Sequence, residues 1–354
     1  MTVIVFYAPL YNTRTLGLQR QLDEYVYGQH VVSKLLVNAL RSHHLKKEPR
    51  KVRPRDFCEI ETSQALVLSF HGDTGTGKNF VSTLIANATF TKGEHSKFFK
   101  FYSATLHFPH SERLATYKVI LSAALQGGSP FQDSLRSSIM DSLRACERSI
   151  FVFDEVDKIP PQVLFELTDV TAVSVAMQLL DVLRPFLDYH PMLDGVVARR
   201  ATFIFLSNLG ASHITRLVLD HRAAGKPREH LAIADFEASI VRPSYNEGIR
   251  PWTDRLARNT PSRSPGGLQN SALIDDELID HYIPFLPLER DHIRQCLQAV
   301  SKRRERTIPS EIIEKIISET NFIPKEDPVF ARSGCKRLES KLDVLMDWAD
   351  GDNI

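Results

Sequence analysis

Apolar residues along this chain follow two kinds of pattern. Short continuous runs, Leu66–Phe70 (LVLSF), Ser149–Phe153 (SIFVF) and Thr202–Ser207 (TFIFLS), show no clean alternation with polar residues. That suits strands buried on both faces of a sheet. Phe99–Ala104 (FKFYSA) reads as one more strand. Elsewhere the spacing is helical. Leu22, Val26, Val31, Leu35, Leu36 and Leu40 share one face between Leu16 and Leu40, with Tyr27-Gly-Gln-His30 as a break between two helices. Phe80–Ala88, Leu114–Leu125 and Leu179–Leu187 are further predicted helices, with Gly127–Pro130 a loop and Asp194-Gly195 a stop. Strands alternating with helices predict an α/β fold, a parallel sheet flanked by helices. Beyond Pro287 the pattern is almost wholly helical, with Glu289–Val300 and Pro309–Thr320 the clearest segments. That predicts a second, smaller helical domain. From Ser244 to Ser271 the chain turns to Pro, Ser, Asn and Gly, an exposed loop.

Composition narrows the class. The 354 residues are 43% hydrophobic and 25% charged, as in an ordinary globular protein long enough for one large domain and a small one. A formal net charge of +1 gives no argument for nucleic acid as a partner. The basic run Lys46–Arg55 reads as a solvated linker before the first core strand, ahead of the alternative of a nuclear signal or patch. No apolar run reaches the roughly 18 residues that a membrane helix needs; Val163–Leu183 is broken by Glu166, Asp169 and Asp181. The opening MTVIVFYAPLYNTR has a short apolar run but no basic start and no clear cleavage site, so it is a poor signal peptide as written. Cys58, Cys146, Cys296 and Cys335 form no C-x-x-C pair, which argues against zinc.

Chemistry enters at the end of the first strand. Gly72-Asp-Thr-Gly-Thr-Gly-Lys78 has the form G-x-x-x-x-G-K of a phosphate-binding loop. Small residues let the backbone curl around an anion, aiming N–H groups and a helix N-terminus at phosphate oxygens. Gly72, Thr74, Gly75, Thr76, Gly77, Lys78, Asn79 and Phe80 are the candidate nucleotide contacts. Asn79 stands where Ser or Thr is usual. Asp154 and Glu155 end the run from Ser149, and buried acids at a strand end are costly unless they meet a metal or a substrate. Beside a phosphate loop they read as a Walker B pair. Asp154, with Asn79, would hold Mg²⁺, and Glu155 would activate the attacking water. Asp157 reads as a helix-capping acid. Asn208, just past the next strand, is placed to hold that water as a sensor, although Asn there also forms turns.

These stretches together resemble the torsins, a Clp-related family of AAA+ ATPases. The resemblance rests on Gly72–Asn79, Phe153-Asp-Glu-Val-Asp-Lys158, Phe205-Leu-Ser-Asn208 and Ser333-Gly-Cys-Lys336. Tyr27–His30, Ala104–His110, Pro185–Tyr189 and Pro284–Leu288 extend it along the chain from about Leu22. It implies a P-loop AAA+ domain over residues 21–287 and a helical lid over 288–354, with residues 1–20 an N-terminal segment left from a targeting region. It also implies ATP and Mg²⁺ as ligands, with Tyr27 and Gly28 beside the base and Lys336 facing the γ-phosphate from the lid. In torsins the cysteine of the Gly-Cys-Lys motif pairs with one in the first lid helix, here Cys335 with Cys296. Cys146 and Cys58 are left for a second bridge. Asn87-Ala-Thr89 is a glycosylation sequon by pattern.

Two departures and one absence qualify the match. The leader typical of the family is not evident. Val163–Gln178 intervenes where torsins run directly on, as a true insertion or translated intron sequence. Clp-type enzymes carry an arginine finger at a position matched here by Leu278, or by a residue one or two places either side of it. Such an arginine is worth about 10³–10⁵ in rate, or about 4–7 kcal/mol of barrier. The resemblance therefore implies an enzyme that borrows its arginine from the luminal domain of a membrane-bound activator of the lamina-associated polypeptide type. It further implies homo- or hetero-oligomers, protein clients, peripheral membrane association and a place in the endoplasmic reticulum lumen or nuclear envelope. An autonomous chaperone-unfoldase, or a nucleotide-regulated scaffold without turnover, are the alternatives.

Overall fold

The computed structural model describes residues 8–45, 64–107, 130–158, 180–190, 192–236 and 277–351. The expected helix at 114–125, the insertion at 163–178, the loop at 244–271, the basic run and Cys58 lie outside them. The order of elements is α1 (Ala8–Tyr25), α2 (His30–Leu45), β1 (Leu66–Gly72), α3 (Lys78–Thr89), β2 (Phe99–Ser103), α4 (Pro130–Ala145), β3 (Ile150–Asp154), β4 (Thr202–Ser207), α5 (Ala211–Ala223), β5 (His281–Phe285), α6 (Arg290–Arg303), α7 (Ser310–Ser318), β6 (Phe322–Ile323), β7 (Phe330–Ala331) and α8 (Leu338–Gly351). Helix α1 begins at Ala8 and passes through position 20, so the N-terminal segment shares a helix with the large domain.

The five long strands form one parallel sheet in the order β2-β3-β4-β1-β5. Because successive side chains point to opposite faces, the unbroken apolar runs supply two cores. Phe151, Phe153, Phe203 and Phe205 point to one face, where Phe151 stacks on Phe203 at 5.0 Å and Phe153 on Phe205 at 5.4 Å between ring centroids. Leu135, Ile139 and Leu143 of α4, with Phe186, cover them. Leu66, Leu68, Phe70, Val152 and Ile204 point to the other face, under Leu18 and Leu22 of α1, Leu36 and Leu40 of α2, and Val81 and Ile85 of α3.

Of the elements that depart from a reading of periodicity, three border the site or its core. Strand β5 carries Pro284, which a central strand would not tolerate; at the sheet edge its missing N–H costs little. Helix α4 starts at Pro130, inside the segment expected as a loop, and its many Ser and Arg residues dilute the apolar stripe. The helix expected up to Leu187 is a 3₁₀ turn at Asp181–Leu183 followed by one turn at Arg184–Leu187, with Pro185 fixing the start.

The lid has its own core of Leu288, Ile293, Leu297, Ile316, Ile317, Phe322, Leu338 and Leu342. A fourth cluster, Val31, Ile214, Val218, Leu231, Phe236, Leu286, Val329 and Phe330, lies in the seam between the two domains.

Candidate active site

The parallel order brings the ends of β3, β4 and β1 side by side, the place where open α/β sheets bind ligands. The turn after β1 is built by glycine. Gly75 (φ 81°) and Gly77 (φ 108°) lie in the left-handed region, and a Cβ at Gly77 would meet only open space. Gly77 is the N-cap of α3 and no side chain caps it. The first amides of α3 are thus left for an anion.

The Lys78 ammonium is buried and donates to the carbonyls of Gly72 (2.6 Å) and Asp73 (2.9 Å) and to Oδ1 of Asn208 (3.0 Å). Burial lowers its pKa to about 8, against the pull of Asp157, Asp73 and Asp154. Asn208 is itself oriented: its backbone N–H donates to Asp157 Oδ1 (3.1 Å) and its amide to Oδ2 (3.4 Å). Asp157 is therefore not a helix cap. It sets which way the Asn208 amide points, a role that its place in the sequence does not announce.

Asp154 accepts from the Asn79 amide at 2.8 Å and from the Glu155 N–H at 2.8 Å. Burial raises its pKa, opposed by those hydrogen bonds. The Asn79 bond leaves Oδ1 of its amide for a ligand, so Asp154 and Asn79 together present the oxygen donors that Mg²⁺ takes. Glu155 has a φ of 58°, rare for a residue with a side chain, and its carboxylate pairs with Lys158.

A cleft of about 760 Å³ separates this wall from the lid. Thr74 to Phe80, Asp154, Glu155 and Asn208 line it on one side, Cys296, Cys335 and Lys336 on the other, and Val26 and Tyr27 at one end. Gly72 and Gly28 stand behind the surface. Gly72 gives its carbonyl to Lys78, and a Cβ on Gly28 would lie 2.8 Å from the His292 ring. Cys296 and Cys335 are joined by a disulfide. Cys146 carries a free thiol. The lid loop touches the phosphate loop directly: the Cys335 N–H donates to the Gly75 carbonyl at 3.1 Å. A Cβ on Gly75 would come within 1.9 Å of the Ser333 carbonyl oxygen.

Other residues prove structural. Leu278 is 4% exposed and packs in the core of the sheet. Asn87 of the sequon accepts from the Glu94 N–H at 3.0 Å and holds the turn after α3. His71, buried beside the loop, must donate from Nδ1 to the Leu209 carbonyl (3.1 Å), which leaves Nε2 to accept from Ser69 (2.8 Å). Burial lowers its pKa to about 4.

A phosphate loop after β1, acids ending β3, an amide ending β4 and a helical lid define a P-loop protein of the AAA+ class. Solved structures agree on the fold. The chain is similar to S. cerevisiae Hsp104 in its ADP complex, at TM-score 0.51 and 16% identity over 96% of this chain and 48% of that one. Closed-state Hsp104 with ATPγS and FITC-casein gives TM-score 0.50 and 16% identity over 97% of this chain and 47% of that one, so this chain spans about half of each Hsp104 chain. The family is closer still. The Torsin family model matches residues 9–153, and the Torsin-1A C-terminal domain model residues 288–345. A torsin-like protein of Caenorhabditis elegans is 36% identical over 93% of this chain and 76% of its own length. One of Drosophila melanogaster is 32% identical over 92% and 79%. The chain belongs to the torsin family.

Proposed function

We propose that this chain binds ATP in the cleft between sheet and lid and hydrolyses it at a useful rate only when a partner supplies an arginine. The observation that carries the reading is convergence: the uncapped α3 N-terminus, Lys78, Asp154, Glu155 and Asn208 share one wall, and Lys336 stands on the other. Arg303, the one arginine among the described residues that line the cleft, is tied to Glu339, and position 278 holds a core leucine. Mg²⁺, when bound, would neutralise phosphate charge; Asp154 and Asn79 are the residues to hold it.

Lys78 exchanges its carbonyl partners for phosphate oxygens. Asn208, still fixed by Asp157, can then hold a water through its freed Oδ1. Glu155 accepts a proton from that water once it parts from Lys158. Lys336 brings the lid onto the outermost phosphate.

The setting proposed with it, by likeness to the family, is the endoplasmic reticulum lumen or nuclear envelope, with a luminal activator domain, oligomers with copies or relatives, protein clients and peripheral membrane contact. A disulfide lining the cleft suits an oxidising compartment. Among the described residues no helix is long and apolar enough to cross a membrane. Glu155→Gln tests the reading. It should retain ATP and trap a stable complex with the activator domain on a sizing column. A variant that behaves like wild type would favour a scaffold without turnover.

A further inference from the structure

Arg228 belongs to no motif. It opens a single 3₁₀ turn, Arg228–His230, after α5. Yet its side chain is only 9% exposed. Burying a guanidinium is costly unless its donors are met, and here both terminal nitrogens are met, from three segments. Nη2 donates to the Gly28 carbonyl at 2.8 Å. Nη1 donates to the Pro287 carbonyl at 2.8 Å and to the Glu289 carboxylate at 3.0 Å. Nε is buried without a partner. The acceptors are the turn before α2 at the base end of the cleft, the hinge between the domains, and the N-cap of the first lid helix.

A second, parallel link runs beside it. Gln29, 2% exposed, donates to the carbonyls of Leu286 (2.8 Å) and Thr76 (3.3 Å) and accepts from the Leu286 N–H (2.8 Å). The His292 ring lies against Gly28, and its Nδ1 accepts from the Glu289 N–H at 3.0 Å. Phosphate loop, base-side turn, hinge and the first turn of α6 are thus one hydrogen-bonded unit. It sits over the apolar seam of Val31, Leu286 and Phe330. Arg228 is the member that reaches both sides of the hinge.

We propose that Arg228 is a positioning residue: it locks the base-side turn to the hinge, so that nucleotide in the cleft fixes the angle of the lid. The inference rests on the ATP reading above. Only a planar fork serves three acceptors in fixed directions, so lysine is no substitute.

Hydrogen exchange read by mass spectrometry on the purified full chain, with and without ATP and Mg²⁺, tests it. In the wild type, nucleotide slows exchange both in the phosphate loop and in the first turn of α6. Arg228→Gln should keep the first protection, lose the second, and weaken ATP binding about tenfold or more; Arg228→Lys should not restore the α6 signal. A purely structural role would lower the melting temperature and leave nucleotide-dependent protection of α6 intact. Undiminished α6 protection in Arg228→Gln overturns the proposal while leaving the ATP site standing. No protection of the phosphate loop in the wild type overturns both. If Arg228→Gln fails to fold, Glu289→Gln, which leaves Arg228 its two carbonyl partners, takes its place. It should lose part of the α6 protection, and an unchanged pattern counts against the lock.

Discussion

The two walls of the cleft are built in opposite ways. The sheet wall is self-contained: three neighbouring strand ends carry Lys78, Asp154 and Asn208, and each is held by a residue of the same domain. The lid wall is a loop, Ser333 to Lys336, whose place depends on links reaching outside it. These are the disulfide to α6, the Cys335 N–H on the Gly75 carbonyl, and the glycine-to-glycine approach of Gly75 and Gly334. The difference suggests a division of labour. In the ATP reading proposed above, one wall is preset to bind phosphate and the other is placed to report that phosphate is there.

That contrast can be broken from the sheet side first. Lys78→Ala should weaken ATP binding by about 1000-fold, or about 4 kcal/mol, because a buried charged donor is lost. The lid should melt as before. Calorimetry for binding and a thermal scan for the fold check both halves of the statement. Next comes the lid. The disulfide spans a separation of 39 residues, for which the chain-entropy argument gives about 4 kcal/mol. Reduction should destabilise the lid by up to that amount and leave the sheet unaffected, as exchange rates in α7 and α8 against those in β1 and β4 would show.

The third effect sharpens the contrast by pH. His71 is buried in the sheet wall with its pKa lowered from 6.5 to about 4. The unfolded chain therefore takes up a proton that the folded chain refuses between those values. The resulting stability is complete above about pH 6.5 and declines as pH falls towards 4, by about 3 kcal/mol. His71→Gln should flatten this part of the profile in denaturant melts across that window, and the loss should be confined to the large domain.

Much of the sheet wall was legible in the sequence, for a physical reason. A phosphate loop needs glycines and a lysine in consecutive order, and a buried strand needs an unbroken apolar run, so Gly72–Lys78, Ser149–Glu155 and Thr202–Asn208 declare themselves. Cys335 with Cys296 came through family likeness and not through spacing. What stayed hidden is what works through space. Asp157 orients Asn208 across 51 positions, and Arg228 reaches Gly28 across 200. Strand β5 was masked by Pro284, whose missing donor matters only if the strand is central.

The central claim is that the chain holds half of a catalytic site. The measurement that bears on it most directly is ATP hydrolysis by the purified chain, with and without the luminal domain of a membrane-bound activator. Negligible turnover alone and a rise of about 10³-fold or more with the activator is the predicted result. Robust turnover by the chain alone would contradict it.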